Sequence, residues 1–306
     1  MFSKPDLKIE KLGHETLKVL DRIAAQNGVS REQQAVGVLN AWASPAAVSA
    51  NDKSKLEVAK RLSFGLSELQ GIRGERDLTP SILAEKAGLS GPDTTIAALH
   101  AASEIDFELL EKLAVPLNVN PNWLKHGEGV PYPAPEVRLS YAPGEAVNLL
   151  LAPNEATGQE VTRIYFLRSD DELGALKIVR RFGGSTSCEM FSTPYHVSEA
   201  IGAGGEGDLC ALFNTFKHLY EVYTSGPVTG RARNTVIKSF LLDKKYFRAG
   251  EAQHVHPLRL LELATECPWW EDIWDERNYS GNSEHWEGFG ALRSRILRAN
   301  QLKNQA

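Results

Sequence analysis

Several residue groups in this chain have the types and spacing that chemistry would need. The run Gly202-Ala203-Gly204-Gly205-Glu206-Gly207 could cradle a phosphate, because residues without a Cβ let backbone amides approach an anion. It lacks the Lys-Ser/Thr ending of a phosphate-binding P-loop, so a surface loop is the expectation. His254 and His256 place two imidazoles on one side of an extended segment, and with Cys267 or His196 they have the donor types of a zinc site. No paired-cysteine spacing accompanies them, and surface histidines are expected. Trp269, Trp270 and Trp274 stand among acidic residues and could line a pocket or an interface; at least two are expected in a core. Arg293, Arg295 and Arg298 form a basic strip that could meet a phosphate, though a solvated helix face is the simpler reading. No acid, base and nucleophile stand at a telling spacing, so neither an enzyme nor a cofactor is expected.

The elements that would position functional side chains begin at the N-terminus. Leu7 and Ile9 alternate with Lys8 and Glu10, the pattern of a strand with one apolar face. Leu17, Leu20, Ile23 and Ala24 recur at helical spacing, and Asn27-Gly28 is a stop signal. Ser30 with Gln33 reads as a capping box opening a second helix, whose face continues through Val36, Leu39 and Trp42. This order resembles the ribbon-helix-helix fold of Arc/MetJ-type repressors and antitoxins. The resemblance implies a homodimer made by pairing the N-terminal strand antiparallel with a second copy, and a two-stranded ribbon in a major groove of double-stranded DNA. On that template Lys8 and Glu10 face base edges and Lys11 lies near the backbone. Ser30 and Arg31, at the start of the second helix, complete the DNA-contacting set.

Residues 44–54 read as a linker, being rich in Ser, Pro, Asn and Asp without apolar periodicity. A helix is expected from about Lys55 to Arg73. Thr79 then caps a short helix with Pro80 at its first position and Ile82, Leu83 and Ala84 on its inner face. Ala84 and Gly88 have the spacing of a tight turn between two helices, and a Trp123-Leu124 pair closes the segment. Residues 55–130 resemble the XRE, or Cro/CI-type, helix-turn-helix domain of phage repressors. That implies five helices, with a recognition helix from Pro92 or Asp93 to about Ala102. The helix contains no lysine or arginine, so Thr94, Thr95 and His100 are its candidate readers. Phosphate contacts would come from Lys60, Arg61 and Arg76, with Arg73 and Lys86 as further candidates.

A proline-rich connector, Val130 to Pro135, leads into residues 136–306. Strands are expected at Val161–Leu167, Ala175–Arg181, Ser187–Phe191 and Thr235–Leu242, with a further one at Ala146–Leu151. Leu209–Tyr223 reads as a helix or a buried strand pair, and Pro257–Thr265 and His285–Asn300 as helices. This is an α+β domain for oligomerisation, sensing of a small molecule, or capture of a protein partner. Ala203-Gly204 resembles the dipeptide that self-cleaving phage-type repressors cut. No nucleophile segment follows it, and neither Ser225 nor Ser239 has a lysine placed to activate it.

The expected fold class is therefore multidomain: an N-terminal ribbon-helix-helix in residues 1–43, an all-α five-helix helix-turn-helix domain, and a C-terminal α+β domain. At 306 residues the chain is long enough for several domains. Its net charge of −5 argues against a strong non-specific nucleic-acid binder, although only a docking face need be positive. Three widely spaced cysteines fit a reducing compartment better than a disulfide framework. No apolar run is long enough to span a membrane and no signal peptide is apparent, which points to the cytoplasm. The function these readings imply is a sequence-specific transcription regulator, a dimeric repressor that occludes promoters including its own. The family resemblance suggests a mobile-element setting. The alternative is an antitoxin-like regulator whose C-terminal half captures another protein.

Overall fold

The computed structural model describes residues 13–27, 29–43, 50–102, 106–184, 186–224, 235–275 and 284–305. The chain divides into two compact units, Met1–Ser54 and Lys55–Ala306. In the first, helices α1 (His14–Asn27) and α2 (Arg31–Ala43) form a hairpin. The capping box is present: the Gln33 amide donates to Ser30 Oγ (3.2 Å) and the Ser30 amide to Gln33 Oε1 (2.9 Å). Arg31 Nη2 reaches back to Asp21 Oδ2 (2.8 Å), tying the two helices together. Leu17, Leu20 and Ile23 are half-buried and Ala24 is buried, the face expected from their spacing.

The ribbon-helix-helix expectation does not hold. That fold needs a strand at the start of the chain to pair antiparallel with a copy of itself, and the first strand among the described residues begins at Val161. Leu7–Lys11, where the strand was expected, lies outside the described residues. Two apolar residues in alternation cannot outweigh tertiary context, because a strand is stabilised by the neighbours it packs against more than by its own pattern.

The second unit is a three-layer arrangement. Five helices come first: α3 (Ala50–Gln70), α4 (Pro80–Lys86), α5 (Asp93–Leu99), α6 (Phe107–Leu117) and α7 (Pro121–His126). Next is α8 (Pro143–Leu151), followed by strands β1 (Val161–Ser169), β2 (Ala175–Phe182) and β3 (Cys188–His196). Helix α9 (Ala203–Thr224) crosses to β4 (Val236–Leu242). The chain ends with α10 (Pro257–Glu262), the short β5 (Thr265–Glu266), α11 (Trp269–Asp272) and α12 (Phe289–Gln305). The sheet order is β3-β2-β1-β4-β5; β1 and β4 are parallel, and every other neighbouring pair is antiparallel. The parallel pair requires a crossover, and α9 supplies its helix.

Side chains alternate across the sheet. Tyr165, Leu167, Val179, Met190 and Phe240 share one core with Leu62, Leu69, Leu113 and Leu117 of the five-helix segment. Ile164, Phe166, Ile178 and Phe182 point the other way and pack with α8, α9, α11 and α12. Phe166 sits 4.6 Å from Phe216 between ring centroids, and Trp269 and Trp270 close over both. Trp269 and Trp270 are thus core residues. Ala146–Leu151 is helical, not a strand: Pro143 opens α8 and its buried residues Ala146, Val147, Leu150 and Leu151 follow helical spacing. Gly202–Gly207 is not a free loop, since the helix begins at Ala203. No helix among the described residues is long and apolar enough to cross a membrane.

Candidate functional site

Helices α4 and α5 are joined by a tight turn, where the sequence reading expects a helix-turn-helix. Pro80 follows the Thr79 cap, whose Oγ1 accepts from the Ile82 amide (3.3 Å). Leu83 and Ala84 are buried, and so is Ala98 from α5, so small residues set the crossing of the two helices. The turn closes through Gly88 at φ +69, where a side chain would be strained, and the Leu89 amide donates to Ala84 O (2.9 Å). This geometry turns Ser90, Asp93, Thr94 and His100 outward as exposed residues.

The expected contact residues separate sharply. Thr94 and His100 are exposed on the outer face of α5 and its end, and Arg76 is exposed on the loop that leads into α4. Thr95 is fully buried and so reads no base; its position one residue on from Thr94 turns it into the bundle. Arg61 is held inside its own unit, donating to Leu124 O (2.9 Å) and Lys125 O (3.1 Å) at the end of α7. Burial lowers its pKa from the usual arginine value, and its engaged nitrogens make it a structural cap instead of a phosphate anchor. Lys60 pairs with Glu57 (2.7 Å) and Lys86 with Glu75 (2.9 Å), exposed contacts that a phosphate could displace. Arg31 is paired with Asp21, and Ser30 serves as the cap of α2. Lys8, Glu10 and Lys11 lie outside the described residues.

A cavity of about 510 Å³ lies where the end of α3 meets the sheet. Arg163 and Arg181 face each other across β1 and β2, Lys238 stands opposite Tyr165 on β4, and Arg73 closes the rim beside Glu262. Lys238 also bridges to Glu266 (2.7 Å). Like charges directly opposed on neighbouring strands destabilise a sheet. The cavity lining thus gathers four cations, with Glu75 and Glu262 as carboxylates beside them.

The other sequence candidates are resolved by packing. His256 is fully buried as the N-cap of α10, with Nδ1 accepting from the Leu258 amide (3.2 Å), and so does not face His254 as a ligand partner. Among the described residues no group of three or more His, Cys, Asp or Glu is placed to hold a metal. Arg293 is buried and donates to Asp275 O; Arg295 donates to Glu206 (2.5 Å) and Ile201 O (3.0 Å). Only Arg298 of that strip is exposed.

One constellation went unread in the sequence. Cys267 Sγ lies 3.1 Å from His285 Nδ1, and His285 Nε2 lies 2.9 Å from Asp272 Oδ2. The three come from the turn after β5, the end of α11 and the segment before α12. No local motif marks them, and only the fold brings them together. No family model matches the chain, and neither does any curated protein or solved structure.

Proposed function

We propose that this protein is a sequence-specific DNA-binding transcription regulator that reads duplex DNA through α5. The observation that carries this reading is the α4–turn–α5 unit, with a glycine-closed turn, an inner face of small residues and an outer face bearing Thr94 and His100. A helix presented in this way fits a major groove, where threonine can bond either base type or touch a thymine methyl. Arg76 and Arg73 flank the pair and would hold phosphates. The acidic chain as a whole makes non-specific affinity low, so discrimination rests on few contacts. A cytoplasmic location and promoter occlusion belong to the same reading.

The cavity where the end of α3 meets the sheet gives the regulator a place for an anionic signal. An anionic small molecule held by Arg163, Arg181 and Lys238 would also touch Arg73, and so would bias the loop that leads into α4. Selection of bound duplexes from random fragments at about 150 mM salt tests the reading, because non-specific binding is weak there. Enrichment of one motif that Thr94→Ala relaxes at a single position is the expected result. Absence of any enriched motif would remove the regulator reading.

A further inference from the structure

We propose that Cys267, His285 and Asp272 form a thiol acyl-transfer site that accepts an apolar acyl group carried as a carboxylic ester or amide. The tautomer follows from the contacts. A carboxylate only accepts, so His285 donates its Nε2–H to Asp272 and its Nδ1 lone pair is left facing the Cys267 thiol. That is a nucleophile, a base and an orienting group in sequence, each within reach of the next. Asp272 is the positioning residue; Cys267 and His285 are the catalytic pair.

The surroundings suit this chemistry. Cys267 is half-buried, whereas Cys188 and Cys210 are buried, so it is the most open thiol of the three. Burial raises its pKa above the ordinary thiol value, opposed by a hydrogen bond from the Trp269 amide and by the Arg168 charge. A thiol that rests protonated needs an adjacent base, and His285 stands there. The ring of His285 is packed edge-on against Phe289 (4.8 Å between centroids) and lies beside Trp286, over which the buried Arg168 guanidinium sits at 3.8 Å. The half-buried Trp286 is the apolar surface an acyl chain would meet, and the buried Phe289 keeps the imidazole from rotating.

The step balances without an outside oxidant or metal. The Cys267 thiol gives its proton to His285 Nδ1 as Sγ attacks the acyl carbon, forming a C–S bond. The ester C–O or amide C–N bond breaks, and the leaving group takes the proton from His285. Water then attacks the thioester, His285 takes its proton, the C–S bond breaks, and sulfur recovers the proton.

The test uses full-length protein with 4-nitrophenyl acetate, glutathione serving as the free-thiol reference. A burst of about one nitrophenolate per chain is expected, with the acetyl group mapped to Cys267 by peptide mass spectrometry. Cys267→Ala should abolish it. His285→Gln should slow acylation about 100-fold. Asp272→Asn should also slow acylation while keeping Cys267 as the acceptor, and Asp272→Glu should recover part of the rate. Folding of each variant is checked by circular dichroism. Acylation of folded wild-type Cys267 no faster than glutathione, or an unchanged rate in folded His285→Gln, would overturn the proposal. If the variants do not fold, the wild-type comparison decides alone.

Discussion

His256 is a histidine that folding keeps neutral. It is fully buried, its Nδ1 accepts from the Leu258 amide, its backbone amide donates to Glu68, and its ring stands edge-on to Tyr132 at 5.1 Å. Burial, with the Arg181 charge as a lesser cause, lowers its pKa to about 3, against 6.5 for the free side chain. The unfolded chain therefore binds the proton first, and stability is complete above pH 6.5 and falls as the pH drops from 6.5 toward 3. Between pH 6.5 and 5 the loss is about 2 kcal/mol from this group. Urea midpoints at the two pH values should show that drop in the wild type and a smaller one in His256→Asn, which can keep the cap. Equal drops would assign the pH dependence to other groups. The residue scale was the least legible in the sequence. Thr94 and Thr95 are adjacent and chemically identical, yet one faces out and the other is buried, a difference fixed by the helix phase alone. Cys267, Asp272 and His285 converge only because β5, α11 and the chain before α12 meet at one place, which no spacing rule encodes.

At the scale of elements, the layer of α9 and α11 on the sheet is where packing matters most. Phe216 lies against Phe166, Trp269 and Trp270, and all four are buried. Phe216→Ala should destabilise the protein by about 3–5 kcal/mol, because the cavity cannot be filled by flexible neighbours. Denaturant unfolding would register this as a lower midpoint, and a loss below about 1 kcal/mol would show that the layer collapses around the gap. Most elements in this half were readable: the β1, β2 and β4 patterns are long, β-branched or aromatic, and bounded by turn residues. Two were misread for identifiable reasons. Ala146–Leu151 is a short apolar run, which periodicity cannot assign, and Pro143 with Glu145 was the overlooked helix start. The glycines at 204, 205 and 207 oppose a helix by up to about 1 kcal/mol each, but a 22-residue α9 with a buried face outweighs them. At the N-terminus the two helices and the capping box were legible, whereas the strand expected before them rested on four residues of alternation.

For the whole molecule, the second unit holds α4, α5 and the sheet on one continuous core, with Leu62 and Leu113 packed in the same cluster as Tyr165 and Phe240. On the proposed reading, a signal can pass from the sheet to α5 without an intervening hinge, provided a ligand prefers one packing over another. The anion binding proposed for the cavity beside the sheet makes that testable. Inorganic pyrophosphate should raise the melting temperature of the wild type, and Arg163→Ser should abolish the rise; an equal rise in both would place the anion elsewhere. The proposed reading rests on the outward face of α5, because the net charge of the chain is acidic. The most direct test is amide hydrogen exchange on full-length protein, with and without a duplex enriched by selection. Slowed exchange across residues 89–100, extending to the loop around Arg76, is the expected result. Protection confined to other parts of the chain, or no duplex that enriches at all, would contradict it.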